Sequence, residues 1–167
     1  LGPKQVSGIN AVAVSPDGNQ IYAVDSNNGV LLVVNAIDLS IRQTFKDGIN
    51  GVDGLSGVSD VAVNAGALYV ASPVEGEVSL FNRLDSFGNL AYVRSRSETG
   101  ATSVAISNDD NTVYVAGNAG VAGFNKFLTV ETLTTRAPGG NSGFSDLTVS
   151  ADGTVFAVST NCLLYTS

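Results

Sequence analysis

Gly8-Ile-Asn-Ala-Val-Ala-Val-Ser-Pro-Asp-Gly18 is the stretch on which the reading of this chain turns. It returns as Gly57-Val-Ser-Asp-Val-Ala-Val-Asn64 and as Gly100-Ala-Thr-Ser-Val-Ala-Ile-Ser-Asn-Asp-Asp110. A fourth copy reads Gly143-Phe-Ser-Asp-Leu-Thr-Val-Ser-Ala-Asp-Gly153. The leading glycines stand 49, 43 and 43 residues apart. Inside the first copy, Ala11 to Val14 is a short apolar run rich in β-branched residues and bounded by turn formers, which predicts a buried strand. Ser15-Pro-Asp-Gly18 is turn chemistry, since proline presets φ and glycine accepts a positive one.

Working outward, each copy opens a repeat of four strands. In the first repeat the later strands are Ile21 to Val24, Val30 to Val34 and Ile41 to Phe45. Second strands recur as Leu68 to Ala71, Val113 to Ala116 and Val155 to Val158. Third strands recur at Val78 to Phe81 and Val121 to Phe124, and fourth strands at Leu90 to Arg94 and Val130 to Thr134. The links are short, as antiparallel meanders require. An all-strand repeat of roughly 40–45 residues is the pattern of a β-propeller, with one four-stranded blade per repeat. The sequence therefore predicts an all-β, four-bladed propeller. Residues 1–167 form a single domain, with repeats at about 8–56, 57–99, 100–142, and 143–167 joined by 1–7.

The ends shape this reading. The fourth repeat has room for a third strand, Cys162 to Thr166, but not for a fourth. Leu1 to Ser7 is a spare segment whose Lys4-Gln-Val6 matches Arg42-Gln-Thr44. Arg42, Lys46, Arg94, Arg96 and Arg136 lie on or just beyond fourth strands, where cations block edge-to-edge pairing. Lys4 fits that pattern. The N-terminal strand is thus expected to complete the last blade, within its own chain or in a neighbouring chain. The chain contains no methionine, even at position 1. It reads as a processed product, an excised domain, or a fragment of a larger propeller.

Composition narrows the function. Apolar residues make up 44% and charged residues 14%, which favours a packed body over disorder. The formal charge is −7 with eight Lys plus Arg, so no nucleic acid partner is expected, because a phosphate backbone needs clustered cations. No apolar run nears the ~18 residues of a membrane-spanning helix. Cys162 is the single cysteine and reads as a small hydrophobe without a histidine base.

A meander places the start of strand one beside the end of strand two. The repeat entries and the second-to-third turns then share one mouth of the channel. Asn10, Ser59, Asp60, Thr102, Ser103, Ser145 and Asp146 come from the entries, and Asp25, Asn27, Asn28, Glu75, Glu77, Asn118 and Asn161 from the turns. We take Asn10, Asp60, Ser103, Asp146, Asp25 and Glu75 as the candidate ligand-binding set. An oxygen-rich set without histidine suits calcium or magnesium rather than zinc, and calcium is the cation considered. The reading we favour has these side chains capping strand ends and turns, as Asp and Ser usually do, with no cofactor expected. Asp47-Gly-Ile-Asn-Gly-Val-Asp-Gly54 lacks EF-hand spacing and is read as an inter-blade loop. Asp60 and Asp146 come from alternate blades; facing each other, they would make a carboxylate pair of the kind that performs acid–base work. Tyr22, Tyr69 and Tyr114 are locked to the repeat and are read as blade packing.

Val12-Ala-Val-Ser-Pro-Asp-Gly-Asn-Gln-Ile-Tyr-Ala-Val24, Tyr69-Val-Ala-Ser72 and Tyr114-Val-Ala-Gly117 resemble the repeat of the YVTN, or lactonase-like, β-propellers. Asp47 to Gly57 is similar to the Asp-Gly-rich inter-blade loops of a secreted bacterial subgroup. The resemblance covers nearly the whole chain, and it implies an extracellular or cell-surface location. The family includes sugar-lactone hydrolases, whose sites draw on histidine, arginine and acidic residues. This chain has no histidine, and no catalytic residue is assigned. The expectation is a non-catalytic binding or assembly scaffold, with a protein or glycan partner or with itself by strand donation. The alternative is a lactonase-like hydrolase or a cation-dependent sugar binder that uses the acidic mouth.

Overall fold

The structure, a computed structural model, describes residues 8–85, 88–118, 120–136, 143–159 and 164–166. Among them are fifteen strands and no helix. The first sheet holds β1 (Ile9–Val14), β2 (Gln20–Asp25), β3 (Val30–Asn35) and β4 (Ile41–Lys46). The second holds β5 (Asp60–Val63), β6 (Ala67–Ser72), β7 (Glu77–Arg83) and β8 (Leu90–Ser97). The third holds β9 (Ser103–Ile106), β10 (Thr112–Gly117), β11 (Gly120–Asn125) and β12 (Glu131–Arg136). The fourth holds β13 (Phe144–Val149), β14 (Val155–Ser159) and β15 (Leu164–Thr166). Every pairing is antiparallel between chain neighbours, so each sheet is a plain meander. The fold is a β-propeller array. The expected outer strand of the last blade, Leu1 to Ser7, lies outside the described residues.

The inner strands β1, β5, β9 and β13 stand side by side in that order. Among the described residues the fourth sheet does not pack on the first, and the four sheets form an open arc. Strand alternation gives each sheet two apolar faces. In the first sheet one face carries Ala13, Tyr22 and Val33 in one cross-strand row, and Ala11, Val24, Leu31 and Phe45 in the next. This face packs on Val61, Leu68, Val70 and Phe81 of the second sheet. The arrangement repeats. Tyr69, Ala71, Val78 and Leu80 meet Val104, Val113, Val115 and Phe124, and then Ala116 and Val121 meet Leu147, Val155 and Ala157. Each fully buried Val, Leu or Phe stabilises by about 1.5–3 kcal/mol. The core is therefore three successive sandwiches rather than one central mass.

The leading glycine of each repeat is required by its neighbours. Gly57, Gly100 and Gly143 have φ of 67°, 69° and 93°, where a side chain is strained. A Cβ at Gly100 would also lie 2.4 Å from the Asn118 side chain, and one at Gly8 would lie 2.5 Å from that of Asn27. The second-to-third turn thus presses on the entry of its own blade.

The opposite turns are held by a shared bond set. Ser15, Ser107 and Ser150 each donate to the aspartate two residues on: Asp17, Asp109 and Asp152. Those carboxylates accept the N–H of Asn19, Asn111 and Thr154. The shortened second-repeat turn uses Asn64, whose Oδ1 accepts from the N–H of Gly66 and Ala67.

Tyrosines bolt neighbouring sheets together. Arg83 Nε donates to Tyr22 Oη at 3.1 Å, and Tyr69 Oη donates to the Lys126 carbonyl at 2.7 Å. Burial, aided by the charge of Asp110, pushes the Tyr69 hydroxyl up to about 12 from 10.0. A raised folded-state value means that the folded chain holds this proton longer. The stabilisation is complete below about pH 10 and is lost as pH rises from there through about 12. Alkaline titration should therefore show a late, cooperative release of phenolate absorbance as the fold opens. Tyr69→Phe should flatten the dependence of stability on pH in that window. An unchanged slope would show that another group sets it.

Candidate functional site

The concave wall formed by β5, β9 and β13 is built from the two residues that follow each repeat's glycine and its neighbour. The first is a hydroxyl. Ser59 Oγ donates to the Thr102 carbonyl at 2.7 Å, and Thr102 Oγ1 donates to the Phe144 carbonyl at 2.5 Å. Each inner strand is thereby stitched to the next. In the first repeat the equivalent residue is Asn10. Its Oδ1 accepts from Ser26 N–H at 3.1 Å, within its own blade.

The next position brings Asp60, Ser103 and Asp146 together. Ser103 is 1% exposed and lies between the two carboxylates. Its Oγ stands 2.6 Å from Asp60 Oδ2 and 3.1 Å from Asp146 Oδ1. A hydroxyl has one proton, and the shorter contact assigns it to Asp60. Asp60 also accepts Val104 N–H at 2.9 Å and Val61 N–H at 2.8 Å. Leu147 N–H reaches Asp146 Oδ1 at 2.9 Å and Ser103 Oγ at 3.2 Å. The carboxylate pair is therefore knitted into backbone, with the serine as its bridge. In front of it is an open, shallow cavity of about 360 Å³, lined by Asp60, Val63, Ile106, Asp146 and Val149 among others. Its polar side chains are the two carboxylates and the Thr148 hydroxyl, an acceptor-rich set.

The other sequence candidates lie elsewhere. Asp25 is 1% exposed, and its carboxylate accepts the N–H groups of Asn27 and Asn28 and the Asn28 side-chain amide. It holds the β2–β3 turn. Glu75 sits exposed on the β6–β7 turn, where its carboxylate and those of Asp47 and Asp53 lie within 4.8 Å of one another. Partial burial, then the charges of Asp47 and Asp53, raise the Glu75 carboxyl above its ordinary value. Asp47 and Asp53 were not among the site candidates. Their signal was the Asp-Gly-rich loop, which folds back so that Gly48 N–H bonds the Val52 carbonyl and Asp47 Oδ1 accepts Leu55 N–H. The loop is also core, with Val52 and Leu55 buried against the first two sheets. A second cavity, about 380 Å³, opens at the other end of the seam between the second and third sheets. It is lined by Asn64, Tyr69, Asp110 and Lys126 among others.

Three apolar sandwiches of meander sheets, stitched along their inner strands, define a β-propeller. Solved structures agree. The chain is similar to hydrazine synthase of Kuenenia stuttgartiensis, with a TM-score of 0.76 and 17% identity over 95% of this chain and 45% of that one. It is similar to a proposed 6-phosphogluconolactonase from Bacteroides uniformis ATCC 8492, with a TM-score of 0.69, 18% identity, and 95% and 53% of the two chains covered. The WD40 β-propeller domain of Doa1 matches with a TM-score of 0.69 and 15% identity over 90% and 47%. The chain spans about half the length of these structures. At such identities the likeness is one of fold. No protein-family model matches the chain, and no curated protein does. Among the described residues no helix is long and apolar enough to cross a membrane.

Proposed function

We propose that the chain is a non-catalytic, extracellular β-propeller module of the YVTN type that serves as a binding or assembly scaffold for a protein or glycan partner. One observation carries the reading. In the wall beside the cavity, Asp60 is engaged at both oxygens by the N–H groups of Val61 and Val104 and by the Ser103 hydroxyl, and Asp146 is engaged at Oδ1 by Leu147 N–H. The repeat motif and the Asp-Gly-rich loop support the family and, through it, the location. The lactonase-like alternative draws support from the Bacteroides uniformis neighbour.

The test is a panel of sugar lactones assayed with and without calcium. No turnover above background is expected. Turnover that disappears in Asp60→Asn or Asp146→Asn would replace the scaffold with the hydrolase. A cation-dependent reading is favoured by the Asp47, Asp53 and Glu75 grouping. It requires calcium to raise the melting temperature of the native chain but not of Glu75→Gln, and equal responses would reject it.

A further inference from the structure

Two neighbouring seams of the array are closed by different means at one and the same place. Phe81-Asn-Arg-Leu84 and Phe124-Asn-Lys-Phe127 are matching segments of successive repeats. Arg83 stands 26 residues after Gly57, and Lys126 stands 26 after Gly100. Their backbones agree, since Arg83 N–H donates to the Gly66 carbonyl and Lys126 N–H to the Asn111 carbonyl, each within its own blade. Each is bonded to a tyrosine of the preceding blade, Tyr22 or Tyr69.

Between the first two sheets a guanidinium fills the seam. The Arg83 side chain is only 5% exposed. Its Nε donates to Tyr22 Oη, its Nη1 lies 3.1 Å from the carbonyl oxygens of Asn64 and Ala65, and its Nη2 is 3.7 Å from Asp17 Oδ2. A planar cation with five donors is thus met by a hydroxyl, two carbonyls and a carboxylate. Between the second and third sheets the chain supplies no guanidinium. Lys126 Nζ lies over the Phe127 ring at 5.6 Å and stands 3.5 Å from Asn111 Oδ1. Tyr69 Oη donates to the Lys126 carbonyl, and a cavity of about 380 Å³ stands in the seam. Its walls keep the acceptors. Asp110, from the third sheet, accepts Asn64 Nδ2 on Oδ1 at 3.1 Å, and a carboxylate so engaged still has lone pairs on both oxygens. The Tyr69 oxygen donates its one proton and can still accept. Asn82 adds an amide, and Phe127, 59% exposed, adds an aromatic ring.

We infer that this cavity receives the arginine side chain of a protein partner, its guanidinium seated as that of Arg83 is seated one blade earlier. The precedent inside the fold commits the site to this occupant. The same place in the preceding seam holds a guanidinium, on a tyrosine hydroxyl and beside a carboxylate. In the cavity the carboxylate comes from the following blade, as Asp110, instead of the preceding one, as Asp17. The Phe127 ring suits the flat face of a guanidinium, and a lysine ammonium, as a compact point charge, cannot stack in that way. A formal charge of −7 on the chain favours a cationic visitor. Lysine at 126, where its neighbour repeat has arginine, is what leaves the place open. The inference rests on the binding part of the proposed function, and narrows the partner to a protein that presents an exposed arginine.

The experiment is an NMR amide-shift titration of the full chain with N-acetyl-arginine amide, with the lysine equivalent, and with the citrulline equivalent, which has the shape of arginine without its charge. We expect the arginine probe to bind at least tenfold more tightly than either of the others, with the largest shifts at Asn64, Asp110 and Phe127. Lys126→Arg should abolish this binding and raise the melting temperature, because the chain then fills its own site. Lys46→Arg, which adds the same group on β4, should do neither. Asp110→Asn removes the charge but keeps an oxygen for Asn64 and a residue type that accepts the φ of 60° at this position. It should weaken binding at least tenfold. Equal affinity for the three probes, shifts confined to other blades, or a Lys126→Arg chain that binds as the native one does would overturn the inference. So would oligosaccharides that shift these amides where the arginine probe does not, which would give the cavity to a glycan. A chain with neither arginine binding nor lactone turnover would sink this inference and leave the scaffold reading standing. Selective arginine binding at this seam together with lactone turnover would do the reverse.

Discussion

Phe81→Ala is expected to lower the unfolding free energy by about 3–5 kcal/mol, a large part of the roughly 5–15 that a domain possesses. Phe81 is fully buried on β7 where the second sheet meets the first. Its ring stands edge-on to Phe45 at 5.1 Å and to Tyr92 at 5.4 Å, so one truncation breaks two aromatic contacts and opens a cavity between blades. Phe45 and Tyr92 sit on hydrogen-bonded strands, so the surroundings close the space only in part. Urea titration followed by circular dichroism measures the loss. Phe81→Leu keeps most of the volume and should cost far less. A loss below about 1.5 kcal/mol for the alanine variant would mean that the first two blades are not coupled through this ring.

Asp60→Ala comes next, at about 3 kcal/mol. Three donors converge on this one carboxylate: Val61 N–H, Val104 N–H and the Ser103 hydroxyl. Ser103 and Val104 are buried, and each orphaned buried donor costs about 1–3 kcal/mol. Asp60→Asn should lose roughly half as much, because the amide keeps one acceptor oxygen but turns a donor toward groups that also donate. Asp146 is exposed, and Asp146→Asn should cost under about 1 kcal/mol by the same measurement. Equal losses at the two aspartates would contradict the asymmetry of the bridge.

The repeat phrase made the inner strands legible, because apolar alternation and turn chemistry agree at every copy. The wall trio was legible for a related reason. Residues at one repeat offset in successive blades must become neighbours, so Asp60, Ser103 and Asp146 could be grouped from spacing alone. Offset does not say which way a side chain turns. Asp25 shared the expected mouth, yet its carboxylate folds back onto two N–H groups of its own turn. Glu75 was placed correctly on a turn, but its companions Asp47 and Asp53 come from a loop without periodicity. The burial of Val52 and Leu55 was hidden in the same stretch, where glycine content signals a turn and says nothing of its packing. Arg83 escaped notice as well. Nothing in its spacing told of a guanidinium reaching Tyr22, Asp17 and two carbonyls.

The hydroxyl stitches carry a consequence for how such a chain changes length. Ser59 bonds a carbonyl 43 positions ahead, and Thr102 one 42 positions ahead. Ser145 holds the corresponding place in the fourth repeat. Each link joins one copy to the next and ignores all others, as expected where stability is a sum over adjacent units. A duplicated or deleted repeat would therefore rejoin the same kind of donor to the same kind of acceptor at this stitch. The stitch alone sets no copy number and tolerates change in steps of one blade, whereas an insertion of a few residues between a glycine and its hydroxyl would break it at once.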